Sequence, residues 1–276
     1  MQTRADISGV LRAGGILDRL VDAKLIRLEA AKSQVSLRSI TERALAAEAP
    51  RQSFGKALRR SDRVNIIAEI KKQSPSKGII RADFDPSWIA GRYESGGAAA
   101  LSVLCEEDFF GGSLSHLSEI RDRVELPLLR KDFIFDEYQV FESLVAGADA
   151  ILLIVAILDD RLLGRLIGLA NDLGLDSLVE VHDETEIARA ISANASTIGV
   201  NNRDLTTFVV GLEVSYRLAR LAPLGTLLVC ESGINSINDI SGLQAAGFNA
   251  FLVGEHLMRA NDPGEALKSL THHSDL

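Results

Sequence analysis

Two hydrophobic periodicities divide this chain. Through residues 11–48 apolar positions recur every three or four residues, at Leu17, Leu20, Val21, Leu25 and Leu28, and Ser36 to Ala47 continues in strong helix formers. That spacing predicts helix with one apolar stripe. Pro50 ends the region, and Phe54–Leu58 reads as one more helical turn before the charged run Arg59 to Arg63. From Val64 the texture changes. Short apolar runs appear at Val64–Ile70, Ala99–Leu104, Leu126–Arg130, Ala150–Ile154, Ser177–Val181, Thr197–Val200, Thr226–Val229 and Ala250–Val253. Amphipathic stretches separate them, at about Asp85–Ser95, Ser113–Arg123, Asp136–Ala146, Asp159–Leu173, Glu184–Ala193, Val214–Leu221, Ile237–Ala246 and Pro263–Leu270. Glycines follow several of these, at Gly96–Gly97, Gly147, Gly174 and Gly247, where a left-handed helix cap is wanted.

The strand runs are nearly continuous in apolar residues, as a parallel sheet buried on both faces requires. Eight strands alternating with eight helices over about 210 residues is the size and count of a (β/α)₈ TIM barrel. A doubly wound sheet is the rival, but the first strand is followed by Ser74-Pro75-Ser76-Lys77-Gly78 and not by a glycine-rich dinucleotide fingerprint. The expected organisation is an α/β barrel at 64–276 with an N-terminal helical extension at 1–63 that caps or flanks it, in a single domain overall.

Composition narrows the class. The 276 residues carry a net charge of −8, which argues against nucleic-acid and membrane-surface partners, since both ask for a basic face. Cys105 and Cys230 lie in apolar runs and read as reduced core residues of a cytoplasmic protein. Residues Met1 to Val10 show no apolar signal-peptide core, and no run of about 18 uncharged apolar residues occurs. The length leaves no room for a second barrel, so a fused partner domain is not expected.

A barrel of this kind keeps its active site at the C-terminal strand ends. Strand 1 offers Glu69, Lys71 and Ser74. Glu69 and Lys71 are two residues apart and share one face, so they read either as a structural ion pair or as an active-site floor. Strand 2 leads into Glu106-Glu107-Asp108-Phe109-Phe110-Gly111-Gly112, strand 3 ends in Arg130-Lys131-Asp132-Phe133, and strand 4 in the uncharged Leu152-Leu153-Ile154. Strand 5 ends in Glu180, strand 6 in Asn201-Asn202-Arg203-Asp204-Leu205, strand 7 in Glu231-Ser232-Gly233, and strand 8 in Gly254-Glu255. Any one of these could be a solvated loop charge, but seven polar ends out of eight point jointly to a site. The N-terminal ends read as ordinary turns. Glycines after strands 7 and 8 are either plain turn residues or the backbone approach to a phosphate, as barrels often provide there. The histidines His116, His182, His256, His272 and His273 form no spaced ligand pair with a carboxylate and read as surface or helix-cap residues. No G-x-S-x-G elbow is present. Lysine and glutamate acid–base chemistry, without metal or cofactor, remains.

At these residues the chain resembles the indole-3-glycerol-phosphate synthase family. The resemblance rests on Ile67-Ala-Glu-Ile-Lys-Lys-Gln-Ser-Pro-Ser76, Phe109-Phe-Gly-Gly-Ser113 and Leu126-Pro-Leu-Leu-Arg-Lys-Asp-Phe-Ile134. It continues through Gly147-Ala-Asp-Ala-Ile-Leu-Leu-Ile154, Leu178-Val-Glu-Val-His182, Gly199-Val-Asn-Asn-Arg-Asp-Leu205, Glu231-Ser-Gly-Ile234 and Phe251-Leu-Val-Gly254. It runs in order from about Val64 to Leu270, and the first and third motifs together are the most specific. The helical segment before strand 1 also resembles the family's N-terminal extension. Cys105 stands where threonine is expected, Cys230 where a small residue is usual, and Glu255 where some members carry serine.

The resemblance implies ring closure, decarboxylation and dehydration of 1-(2-carboxyphenylamino)-1-deoxyribulose 5-phosphate to indole-3-glycerol phosphate, a step of tryptophan biosynthesis. It implies Lys131 as proton donor in ring closure, with a pKa lowered by a cation-rich, partly buried site, and Glu180 as base. Glu69 and Lys71 would serve the dehydration, with Asn201 and Glu231 orienting them and Ser232 also in the catalytic set. Ser74, Pro75, Phe110, Phe133, Leu152, Ile154, Arg203 and Leu205 would receive the substrate. Lys71, Ser232, Gly233, Gly254 and the backbone at Glu255 would hold its phosphate. The only partner implied is a small phosphorylated molecule, with no obligate protein partner. Two rivals stay open: another phosphate-binding barrel enzyme, such as a sugar-phosphate isomerase or a Schiff-base aldolase using Lys131, and a barrel that binds phosphometabolites without catalysis.

Overall fold

A computed structural model of the protein describes residues 8–47, 49–204 and 207–271. Eight parallel strands close into a barrel: β1 (Asn65–Ile70), β2 (Ala100–Leu104), β3 (Leu128–Lys131), β4 (Ala150–Ile154), β5 (Asp176–Val181), β6 (Thr197–Asn201), β7 (Leu227–Glu231) and β8 (Ala250–Val253). Each pairs with the next, and β8 returns to β1 with Asn65 opposite Ala250. This is the predicted (β/α)₈ TIM barrel. The strands are buried along almost their whole length because helices cover the outside while side chains fill the lumen.

Three strands outrun their apolar runs. β3 continues to Lys131, β6 to Asn201 and β7 to Glu231. The polar residues at those ends therefore sit on hydrogen-bonded strands, which hold a side chain more firmly than a loop does. Around the barrel run α4 (Pro86–Ser95), α5 (Leu114–Arg121), α6 (Glu137–Val145), α7 (Asp160–Asp172), α8 (Glu184–Ser192), α9 (Glu213–Ala219), α10 (Ile237–Ala245) and α12 (Pro263–Thr271). Asp85, Ser113, Asp136, Asp159, Asp183 and Ser236 each accept a backbone N–H in the first turn of the helix they open. At the other end Gly147 takes a left-handed conformation (φ 88°), and Asn194 (φ 58°) fills the same place after α8, where no glycine stands. Three small elements escape the sequence periodicity: the hairpin of Gln73–Ser74 with Gly78–Ile79, a 3₁₀ turn at Val155–Ile157, and the one-turn helix α11 (Glu255–Arg259).

Residues 8–47 and 49–63 run along the barrel from mouth to base. Helix α1 (Gly15–Gln34) is long enough, at about 1.5 Å per residue, to span most of its height. Val35 turns extended and Ser36 caps α2 (Leu37–Ala46), splitting what the sequence suggests as one helical stretch. α2 packs against α6. α3 (Phe54–Ala57) closes the base of the barrel, with Phe54 and Leu58 fully buried.

That base is more polar than the ordinary turns expected there. The Asn65 amide donates to the carbonyls of Leu58, Arg60 and Asn249. Asp149, 1% exposed, accepts from Arg121 (2.7 Å), the Leu128 N–H (2.8 Å) and the Gln52 N–H (3.0 Å). Asp176 receives the Gly55 N–H at 3.0 Å. These polar side chains lie beneath the strand starts and tie the N-terminal segment to them. Cys105 and Cys230 are both free and buried, and burial pushes both thiols above their ordinary pKa, Cys230 to about 11. Among the described residues no helix is long and apolar enough to cross a membrane.

Removing Asp149 would leave the Arg121 guanidinium buried without its counter-charge. Asp149→Ala is expected to cost about 3–5 kcal/mol of stability, read as a lower urea midpoint. A loss below about 1 kcal/mol, the worth of an exposed pair, would show that this contact does not hold the base.

Candidate active site

The strand ends at the opposite face surround a cavity of about 830 Å³, within the range of small-molecule sites. Lys131 stands at its centre. Its ammonium donates to Glu180 Oε2 at 2.8 Å and to Glu231 Oε2 at 2.7 Å. On β1, Lys71 donates to Glu69 Oε2, and the Tyr93 hydroxyl donates to the Glu69 carbonyl from α4 at 3.2 Å. Asn201 Nδ2 reaches Glu180 Oε1 at 3.2 Å, while its own Oδ1 accepts the Arg203 N–H.

The electrostatics follow from burial against pairing. Burial works against the Lys131 ammonium most strongly, but Glu180, Glu231 and Glu69 together outweigh it and hold its pKa above the ordinary lysine value. The lowered value expected from a cation-rich site is therefore wrong, because carboxylates and not cations face this lysine. Glu180 is also penalised by burial, yet Lys131 and then His182 bring it well below the usual carboxylate range. Glu231 goes the other way. Burial raises it, Lys131 offsets only part of that, and the neighbouring Glu180 charge adds to the rise. With Lys131 shared between two carboxylates, Glu231 is the member of the pair held up, to about 7.

Two glycines make room for this arrangement. A methyl on Gly199 would overlap the Glu231 carboxylate and crowd Leu178, and one on Gly254 would overlap the carboxylate of Glu69. The β7 end is shaped by Asn202, whose amide donates to the carbonyls of Glu231 (3.0 Å) and Ser232 (3.1 Å). Ser232 there adopts φ 64°, uncommon for a residue with a Cβ, and Gly233 follows at φ 85°.

The structure brings the sequence candidates together. Glu69, Lys71, Ser74, Pro75, Phe110, Lys131, Phe133, Leu152, Ile154, Glu180, Asn201, Arg203, Glu231, Ser232, Gly233, Gly254 and Glu255 all line the one cavity, whereas Leu205 lies outside the described residues. The Glu255 carboxylate is engaged by Arg259 at 3.0 Å and faces Lys77 at 4.0 Å, so an anion at this end would meet backbone and these cations.

Several lining groups were not foreseen. Ile16, Leu17 and Leu20 of α1 form a wall, so the extension reaches the site itself. Their helical spacing reveals an apolar stripe but not what it covers. Lys24 anchors that helix: buried at 3% exposure, it bridges Glu107 (2.7 Å) and Asp132 (2.8 Å). Glu106 is fully buried and accepts the N–H groups of Asp108, Phe109 and Phe110, which fixes the loop that presents Phe110. His182, expected at the surface or as a cap, instead packs beside Glu180 and bonds Glu186 through Nδ1 at 3.0 Å. Its place two residues beyond Glu180, on the same face of the chain, was the available signal. His116 is half-buried against Phe84 and His256 lines the cavity, while His272 and His273 lie outside the described residues.

A family model described as indole-3-glycerol phosphate synthase matches residues 17–270. The chain is 44% identical over 261 residues to the indole-3-glycerol phosphate synthase of Carboxydothermus hydrogenoformans, covering 92% of this chain and 98% of that protein. It is 47% identical over 256 residues to the one from Endomicrobium trichonymphae, with 92% and 99% covered. Coverage this full includes the N-terminal helices as well as the barrel. Among solved structures, a 3-hexulose-6-phosphate synthase superposes with a TM-score of 0.60 over 75% of this chain and 98% of that chain. At 15% identity this likeness concerns the barrel fold alone.

Because Gly199 gives the Glu231 carboxylate its place, Gly199→Ala is expected to cut kcat/KM on the order of a hundredfold, the effect of an ångström-scale displacement. Near-ultraviolet circular dichroism should stay native-like. Full activity in a folded variant would show that the position of Glu231 is not critical.

Proposed function

The chain belongs to the indole-3-glycerol phosphate synthase family, decarboxylating carbon–carbon lyases of tryptophan biosynthesis, and on that premise we propose how its residues carry out the reaction. The observation that carries the reading is the Lys131 ammonium held between Glu180 and Glu231 at the centre of the cavity. The substrate is 1-(2-carboxyphenylamino)-1-deoxyribulose 5-phosphate and the product indole-3-glycerol phosphate, with carbon dioxide and water released.

Ring closure comes first. The ring carbon bearing the carboxylate attacks the ribulose carbonyl, and the developing alkoxide needs a proton. Lys131 supplies it. Its raised pKa keeps it fully protonated at neutral pH, and an alkoxide is basic enough to take the proton. That transfer also changes Glu180. Once Lys131 is neutral, the charge that held Glu180 low is gone, and this carboxylate becomes a stronger base for the aromatising proton removal that follows loss of carbon dioxide. The acid step thus primes the base. Departure of the hydroxyl as water needs a second acid, which Lys71 provides with Glu69 as its partner.

The substrate's ends fit the cavity's chemistry. Phe110, Phe133, Leu152, Ile154 and Pro75, joined by Leu17 and Leu20 from α1, form an apolar slot for the anthranilate ring. Arg203 suits its carboxylate. The phosphate belongs at Ser232, Gly233 and the backbone of Gly254 and Glu255, with Lys71 nearby. The reading includes a cytoplasmic enzyme acting on this small phosphorylated molecule without an obligate protein partner, and two reduced thiols suit that compartment.

Formation of indole-glycerol phosphate, followed by its fluorescence in buffer without added metal, tests the activity. Lys131→Ala and Glu180→Ala are each expected to lower kcat at least about a hundredfold, the worth of a general acid or base, with the fold intact. Wild-type turnover in either variant removes the role given to that residue, and borohydride trapping of substrate on Lys131 would instead mark an imine-forming aldolase.

A further inference from the structure

His182 is a titratable side chain at the site's edge that the mechanism above does not use. It follows β5 by one residue and points to the same side as Glu180. Its Nε2 lies 3.4 Å from Glu180 Oε1, a charge contact that falls short of hydrogen-bond geometry. On the other side, Glu186 Oε2 accepts from the His182 backbone N–H (2.7 Å) and pairs with ring Nδ1 (3.0 Å). Glu186 is itself fixed, because its N–H is capped by Asp183 in the first turn of α8. The result is a line of groups from Glu186 through His182 to Glu180 and on to Lys131.

Resting on Glu180 as the base, we infer that His182 is a positioning residue whose imidazolium, held by Glu186, keeps the Glu180 carboxylate ionised and aimed while Lys131 gives up its proton. The need for such a group follows from the coupling already described. When Lys131 becomes neutral, Glu180 loses its main counter-charge inside a buried site, where an unpaired carboxylate is costly and tends to take up a proton from whatever acid is near. A carboxylate that protonates early cannot accept the substrate's proton. The imidazolium 3.4 Å away is the cation that remains.

The surroundings favour the charged ring. Burial opposes it, but Glu180 and Glu186 outweigh that and raise its pKa to about 10. Of the other groups on the elements packed here, Arg189 of α8 is engaged by Asp160 (2.6 Å) and by the Val155 and Leu158 carbonyls, the side chains of Val155–Ile157 are uncharged, β6 contributes the Asn201 amide, and the Asp183 carboxylate is engaged as the α8 cap. Lys131 is the next cation along the line, through Glu180.

His182→Gln keeps an N–H near Glu180 but removes the charge, and Glu186→Gln keeps the ring while withdrawing the group that sustains its charge. In His182→Gln the acid limb of the kcat–pH profile is expected to move up by about one unit, with kcat on that limb down roughly tenfold, the equivalent of one pKa unit, and KM little changed. In Glu186→Gln an alkaline fall in kcat should enter the accessible range as His182 loses its proton. Nitrogen NMR of labelled histidine, with the His182 signal identified by its loss in His182→Gln, should show an imidazolium from pH 6 through pH 8 in the wild type. A neutral His182 at pH 7 overturns the proposal. So do unchanged pH profiles in both variants with only the melting temperature lowered, since that is what a purely structural histidine would give. Glu180→Gln is the control for the underlying reading: wild-type turnover there overturns the base assignment itself, whereas a dead Glu180→Gln with an unshifted His182→Gln profile overturns the role of His182 alone.

Discussion

A lysine ammonium out of water has to be met by carboxylates, and the mouth of this barrel is arranged around that requirement. Lys131 is held by Glu180 and Glu231, with Glu69 contributing to its field and Lys71 paired to Glu69. Three carboxylates against two ammonium groups leave one negative charge in excess. The excess is relieved in two places, by the rise of Glu231 toward its protonated form and by the histidine cation beside Glu180. A proton moved at Lys131 therefore alters the basicity of every other member. Acid and base are not independent residues here but states of one buried charge set.

The barrel makes such a set possible because its members come from the C-terminal ends of several strands around one mouth. Lys131, Glu180, Asn201 and Glu231 come from β3, β5, β6 and β7; Asn201 lies opposite Glu231, and Glu180 lies opposite Gly199, two residues before Asn201 on the same face of β6. Backbone ladders fix those positions, and the space between them is kept by what is missing from the side chains. Gly199 and Gly254 leave the volume into which the carboxylates of Glu231 and Glu69 extend. Even alanine at either place would compete with the charge cluster for room.

Much of this could be read from the chain. The eight apolar runs announced the strands because a parallel sheet covered on both faces leaves no polar position, and the residues following each run then had to face one mouth. What the runs hid was where strands end. Lys131, Asn201 and Glu231 interrupt apolarity yet stay in the ladder, since a polar side chain inside the mouth finds charge partners there. The wall given by Leu17 and Leu20 was invisible for a different reason. An amphipathic stripe states that a helix covers something, while the choice of surface is made by distant contacts, here Lys24 with Asp132 and Glu107 across 108 and 83 residues of sequence. His182 was misplaced because its partners lie on the same strand and the next helix, a spacing that no metal or capping pattern marks.

The two ends of the barrel also settle how the Glu69–Lys71 pair should be understood. Buried charge occurs at both ends, so burial alone does not distinguish a brace from a site. What the charges face does. At the base, Asp149 is engaged by a guanidinium and two backbone N–H groups, and the Asn65 amide by three carbonyls, so these groups hold the N-terminal segment to the strand starts. At the mouth, Lys131 divides itself between Glu180 and Glu231, and all three line the cavity of about 830 Å³ on which the strand ends converge. Glu69 and Lys71 border the same cavity, with Lys71 still partly open to it. They belong with the cavity-lining set, as part of the site's floor.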